Sequence, residues 1–185
     1  AVMMPYDRFW RAATALRYDI EVLQSRFEAS FEQVCVRLTT LQRQGAKGVP
    51  FFLIRSDKAG NVSKRLGATN SAFARMGGAC PLWIQTQVAE LPDGSRWFTI
   101  ARTVSKPGAG FRTPGQSFAL ALGCEIAHAA QLVYADGIDL ASDEAAAPIG
   151  LHCRLCERPD CDQRAFPPLN HVLSVDENLR GATPY

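Results

Sequence analysis

The sequence predicts an α+β fold: short N-terminal helices, then a mainly antiparallel sheet with flanking helices, then a cysteine-rich C-terminal loop. Three observations predict it. Residues 6–42 carry apolar side chains at three- and four-residue spacing, the period of a helix face. Two stretches between residues 51 and 104 alternate around turn residues, as hairpins do. Three of the six cysteines then crowd into one segment, Cys153-x2-Cys156-x4-Cys161, with His152 just before it.

The helical region divides into short pieces. Tyr6, Phe9, Trp10, Ala13 and Leu16 form one stripe, and Pro5 stands where a first helical turn accepts proline. Asp19 is placed to cap a second helix bearing Ile20, Val22, Leu23 and Phe27. Ser30 is placed to cap a third, and Gln33, three residues on, completes a capping box. Cys35 falls on the apolar stripe of that third helix and reads as core.

From Gly45 to Pro50 the helical period breaks. Phe51–Arg55 and Val62–Leu66 read as a first hairpin, Ile84–Leu91 and Trp97–Val104 as a second across Pro92-Asp93-Gly94. Residues 106–114 form a Gly/Pro loop and Ser117–Gly123 a further strand. Residues 125–134 read as a helix with Ile126, Ala129, Ala130 and Val133 inward, and 136–150 as a connection. The expected division is a helical segment, residues 1–48, and an α+β sensing domain, residues 49–185, with the cysteine-rich part at 152–168.

Composition excludes several classes. At 185 residues, 47% hydrophobic and 21% charged, the chain suits a globular domain. No apolar run reaches membrane-spanning length, and no leader-type segment precedes the first helix. Six irregularly spaced cysteines without a secretory context read as reduced thiols of a cytoplasmic protein. The opening Ala-Val-Met-Met-Pro reads as continuing structure, so a fragment of something longer is expected. Residues 1–112 hold 16 Lys/Arg against 8 Asp/Glu, whereas residues 113–185 hold 4 against 10. A basic portion that receives an anionic ligand is one reading, mutual attraction of the two portions another.

Thiolates at such spacing are soft anionic donors for zinc or for an iron–sulfur cluster. With Cys153, Cys156 and Cys161 as three ligands, Cys124 is the expected fourth; His128 follows it by four residues, one helical turn. Cys80, before Pro81, reads either as a thiol at a helix start or as part of a packed loop, the latter favoured. A structural zinc is expected, with an iron–sulfur cluster as the alternative. For phosphates, the strand-borne Arg55, Lys64, Arg65 and Arg102 are candidate cations, beside the glycine-rich loop 107–115, with Trp83 and Trp97 as apolar walls. No nucleophile elbow, phosphate-binding loop or zinc-protease helix motif occurs, so no catalytic residue and no enzyme are expected.

Several longer blocks resemble one family. Tyr18-Asp-Ile-Glu21, Ser30-Phe-Glu-Gln-Val34, Gly48-Val-Pro-Phe-Phe52, Ala59-Gly-Asn-Val-Ser-Lys-Arg65, Gly77-Gly-Ala-Cys-Pro-Leu-Trp83, Pro148-Ile-Gly150 and Cys153 to Pro168 are similar to the C-terminal effector portion of bacterial short-chain fatty acyl-CoA regulators, XRE-type transcriptional regulators. The resemblance covers nearly the whole chain. It implies a helix-turn-helix and a peptidase-like segment N-terminal to this portion, whose tail would be the first helices here. It implies binding of a short-chain acyl-CoA, a homodimer, no membrane, and DNA contact only through the N-terminal domain. One departure stands out: between Trp83 and Ile84 the family carries more residues. The alternative function is a metal or redox sensor built on the cysteines.

Overall fold

The computed structural model describes residues 3–57, 61–67, 80, 82, 87–106, 108, 110, 115–158, 161, 163–164 and 166–169. Three helices come first: α1 (Tyr6–Ala15), α2 (Ile20–Phe27) and α3 (Phe31–Thr39). Their boundaries follow the local chemistry. Asp19 accepts from the Glu21 and Val22 amides, satisfying donors that a helix start leaves unpaired. Ser30 and Gln33 form the reciprocal capping box. Replacing Ser30 with alanine removes one half of that box and is expected to cost about 1 kcal/mol, read as a shift in denaturant midpoint at constant slope.

The strands are β1 (Phe52–Ser56), β2 (Val62–Gly67), β3 (Val88–Glu90), β4 (Arg96–Lys106), β5 (Gln116–Glu125) and β6 (Ala146–Pro148). They form one six-stranded sheet in the order β2-β1-β5-β4-β3-β6. Every pairing is antiparallel except β3 with β6, which is parallel. The α+β class and both hairpins agree with the sequence reading, and the turn at Gly94 takes the positive φ of 79° that glycine permits.

Alternation along the strands gives the sheet two faces. On one, Leu53, Phe98, Leu120, Leu122 and Cys124 pack with Phe9, Ile20, Leu23, Val34, Cys35 and Leu38 of the helices. On the other, Phe52, Ile54, Ala89, Trp97 and Ala121 pack with Cys80, Leu91 and Ile149. The helices therefore share a core with the sheet. Tyr18 hydroxyl accepts from the Val49 amide at 3.1 Å, and Tyr134 hydroxyl accepts from the Ile20 amide at 2.9 Å, serving a helix-start donor from across the fold.

Two sequence expectations fail after β5. The strand runs on to Glu125, and the segment expected to be an α-helix is two 3-10 helices, Ile126–Gln131 and Val133–Ala135, with Ala129 buried and Ala130 exposed. Arg17 ties this segment to the first helices. Its guanidinium reaches Asp136 at 2.7 Å and 2.9 Å and the Leu132 carbonyl at 3.1 Å, while its own carbonyl accepts from the Val133 amide. The connection at 136–150 also hides β6, which alanines and Pro148 made unrecognisable as a strand.

Candidate functional site

Strand parity sorts the expected phosphate cations. Arg55 and Lys64 are cross-strand partners and both point to the helix-covered face, where they converge on one oxygen of Glu32 at 2.8 Å and 2.6 Å. The Arg55 guanidinium also lies 4.7 Å from the centre of the Phe118 ring. Arg102, opposite Leu120 on β4, shares that face; it sits 5.3 Å from the Phe31 ring centre and reaches Glu21 at 3.3 Å. Three of the expected cations thus gather around the start of α3, each beside an aromatic ring or an acid.

Arg65 and Trp97 do not join them. Arg65 pairs with Ile54 and so lies on the opposite face. Trp97 is buried there, edge-on to Phe52 with ring centres 5.6 Å apart and its indole N–H donating to Ser95. It is a core residue, and grouping it with Arg55 and Lys64 as a ligand wall is corrected by the parity of β4. Trp83 and most of the loop 107–115 lie outside the described residues.

Two concavities were not anticipated. A groove of about 590 Å³ on α1 and α2 is rimmed by Arg8, Arg11 and Arg26 over Ala12 and Ala15. Its one acid, Asp7, is engaged by Arg43. A second, also about 590 Å³ and mostly apolar, lies between the β3–β4 turn, β6 and the cysteine segment, lined by Leu91, Pro92, Ile149, Leu151, Leu155 and Cys156 among others. It adjoins β3 and β6, at the far edge of the sheet from β2.

The cysteines divide by face. Cys124 is fully buried on the helix-covered face, opposite Phe98, and burial pushes its thiol up to about 12. Burial likewise holds the Cys35 thiol well above its ordinary range. Both are core thiols. The expectation that Cys124 supplies the fourth ligand is therefore corrected: because it belongs to a strand, the one-turn spacing to His128 is lost, and the sheet stands between it and Cys80.

Cys80, unlike Cys124, lies on the side of the sheet toward the cysteine segment. It packs on the opposite face with Ile149 and Leu151, close enough to Cys153 and Cys161 that their charges bear on it. Burial raises its thiol, while the backbone amides of Gly150 and Leu82, hydrogen-bonded to its sulfur, pull the other way. Amides aimed at sulfur favour the thiolate. Gly150 also makes room for Cys156: a Cβ there would stand 2.8 Å from the Cys156 sulfur. A short 3-10 helix, Cys153–Leu155, turns the first two cysteines of the segment, with His152 Nδ1 accepting from the Arg154 amide. The His152 ring stacks on Phe166, which Arg154 covers from 5.2 Å.

Tested as a metal site, the donor types fit. Cys80, Cys153, Cys156 and Cys161 are thiols, the Gly150 and Leu82 amides face the first of them, and Gly150 leaves room for the third. Among the described residues, no group of three or more His, Cys, Asp or Glu is gathered tightly enough to hold an ion as it stands. No disulfide joins the six cysteines.

Residues 40–185 match the family model described as short-chain fatty acyl coenzyme A regulator, C-terminal. The chain belongs to this regulator family. Residues 1–39 match an IrrE N-terminal-like domain model. The regulator chain is 50% identical to a propionyl-CoA carboxylase regulator of Cereibacter sphaeroides over its full length and 42% of that relative's. It is 47% identical to the HTH-type transcriptional regulator PrpR of Mycobacterium tuberculosis, over 40% of that protein. It is thus about two fifths as long as these curated relatives. A solved Mycobacterium tuberculosis transcriptional regulator superposes with a TM-score of 0.85 at 47% identity, covering 98% of this chain and 59% of that one. Among the described residues, no helix is long and apolar enough to cross a membrane.

Cys80 is the residue beside the cysteine segment that local spacing missed.

Proposed function

We propose that this regulator domain binds a short-chain acyl-CoA and passes the binding event to a DNA-binding portion N-terminal to it. The observation that carries this reading is the gathering of Arg55, Lys64 and Arg102 on one sheet face at the start of α3, in a chain of the acyl-CoA regulator family. A CoA ester brings several phosphate charges and an adenine ring. Arginine forks match the first, and the half-buried Phe118 ring offers a stacking face for the second. Glu32 holds Arg55 and Lys64 in place before the ligand arrives, so phosphate binding exchanges one anion for another. The domain does no chemistry on the ligand. Its output is the free-energy difference between binding to two conformations, which a homodimer would communicate to DNA.

Calorimetry on the folded chain with propionyl-CoA, acetyl-CoA and free CoA tests this. Heat of binding is expected with the esters, and the double variant Arg55→Ala/Lys64→Ala is expected to weaken binding by about 10- to 100-fold, the loss of one or two charge-assisted contacts. Absence of binding heat from wild type for all three ligands sinks the reading. A loss produced by Arg11→Ala/Arg26→Ala and not by the sheet variant would move the phosphates to the groove on α1 and α2.

A second, compatible reading concerns the cysteines, and the place of Cys80 on the sheet face with Ile149 and Leu151, the Gly150 amide on its sulfur, favours it. We infer a metal centre held by Cys80, Cys153, Cys156 and Cys161. Four thiolates are the closed donor set of structural zinc, and an iron–sulfur cluster takes the same four. The ion would supply a cross-link between Cys80 and the C-terminal segment, fastening both to the sheet. Metal analysis of anaerobically purified protein distinguishes a colourless zinc protein from a brown iron one; folded, metal-free protein counts against both.

A further inference from the structure

We propose that the basic groove on α1 and α2 is a docking surface for the phosphate backbone of duplex DNA, a contact that these helices make in addition to any made by an N-terminal portion. The proposal rests on the reading above in one respect, that a DNA-binding portion adjoins this domain; it does not depend on the acyl-CoA. The groove, about 590 Å³, is lined by Asp7, Arg8, Arg11, Ala12, Ala15 and Arg26. Arg8 and Arg11 stand three residues apart on α1 and so share one face of it. Arg26 joins them from the last turn of α2. All three arginines are exposed. Ala12 and Ala15 keep the floor between them low, so a phosphate can come close to the helix.

Helix stability does not account for this arrangement. Arg8 lies in the first turn of α1, where the positive end of the helix dipole disfavours a cation. Asp7 in the same turn suits the dipole, but its carboxylate is engaged by Arg43, whose guanidinium also lies 4.3 Å from the Tyr6 ring centre. The Arg8 guanidinium lies 5.6 Å from the Phe27 ring centre, a contact that steadies the charge without neutralising it. Three guanidiniums around one groove repel one another, and an anion seated among them replaces that repulsion with attraction.

The geometry favours a row of phosphates on a large partner. Each guanidinium can meet a phosphate through two parallel N–H donors. The arginines stand open on the outer surface of two helices, whereas a site for a small ligand encloses most of it. Duplex DNA offers such a surface one phosphate charge per about 1.7 Å of its axis.

Fluorescence anisotropy of a short labelled duplex, titrated with the 185-residue chain, tests this, with circular dichroism as the folding control. Wild type is expected to bind at low salt and to weaken roughly 10- to 40-fold between about 50 mM and about 200 mM salt, the response of two or three phosphate contacts. Arg11→Ala/Arg26→Ala places a strong helix former at two exposed positions, so the fold is expected to persist. It should weaken binding by about 10-fold at low salt and flatten the log–log salt slope by about 2. Arg55→Ala/Lys64→Ala, on the sheet, should bind the duplex as wild type does. Folded wild type without salt-dependent binding overturns the proposal, and so does wild-type affinity and slope in the Arg11→Ala/Arg26→Ala chain. Poly-glutamate that displaces the duplex at equal charge concentration also overturns it, in favour of an acidic protein surface. A duplex that binds while calorimetry shows no heat with any acyl-CoA sinks the ligand reading alone.

Discussion

Gly123→Ala is expected to destabilise the domain by about 3 kcal/mol, at the upper end for overpacking a sealed core. Gly123 lies in mid-strand on β5, where glycine ordinarily weakens a sheet, so its presence needs a reason. The reason is contact. A Cβ there would stand 2.4 Å from Cζ of Phe52 and 2.9 Å from the Phe98 carbonyl oxygen. The first clash could be relieved if the Phe52 ring moved, but that ring is fully buried and set edge-on against Trp97. The second is with backbone held in the β4–β5 ladder, where Thr99 opposes Gly123. Neither side can yield without opening the three central strands. For a chain of this size the melting temperature should fall by roughly 6–12 °C. A folded alanine variant within about 1 kcal/mol of wild type would mean that the Phe52 ring is free to leave its slot.

The same residue shows where sequence reasoning succeeded and where it stopped. Caps at Asp19 and Ser30 were legible because a cap is a local contract between a side chain and amides two or three residues on. The hairpins were legible from alternation and turn residues. Beyond Gly123 the reading failed, since Ile126, Ala129, Ala130 and Val133 mimic a helix period while the strand continues to Glu125. That two-residue error changed Cys124 from a strand residue into a helical one and gave it a false neighbour in His128. Strand parity, carried two residues further, places Cys124 with Leu120 and Leu122 on the helix-covered face. The cations show the reverse case: parity predicts correctly that Lys64 and Arg65 diverge, but only tertiary packing reveals that Glu32 of α3 gathers Arg55 with Lys64. Cys80 and the C-terminal cysteines meet across more than seventy residues of chain, and no local pattern encodes such a meeting.

Cys80→Ser and Cys124→Ala are accordingly expected to separate cleanly. On the proposed metal reading, a four-thiolate centre without Cys80 would keep three ligands plus a hydroxyl that remains protonated at neutral pH, and serine cannot replace a soft anionic donor. The metal should be lost on dialysis against a chelator that wild type resists. The folding energy of a structural zinc resides in its binding energy, on the order of 10 kcal/mol in small zinc modules. Here the sheet has its own core, so the domain should keep its helices and strands while the C-terminal segment detaches. Limited proteolysis should then cut near residues 151–169 in the variant and in chelated wild type alike. Retention should also fail in wild type as pH is lowered, because protons compete with the ion for every thiolate. Cys124→Ala should retain full metal and cost only about 1 kcal/mol, the loss of a small buried group from the helix-covered core. Full metal in Cys80→Ser, or loss of metal in Cys124→Ala, would reverse the assignment, for the sheet that divides these two cysteines leaves no arrangement in which both serve one ion.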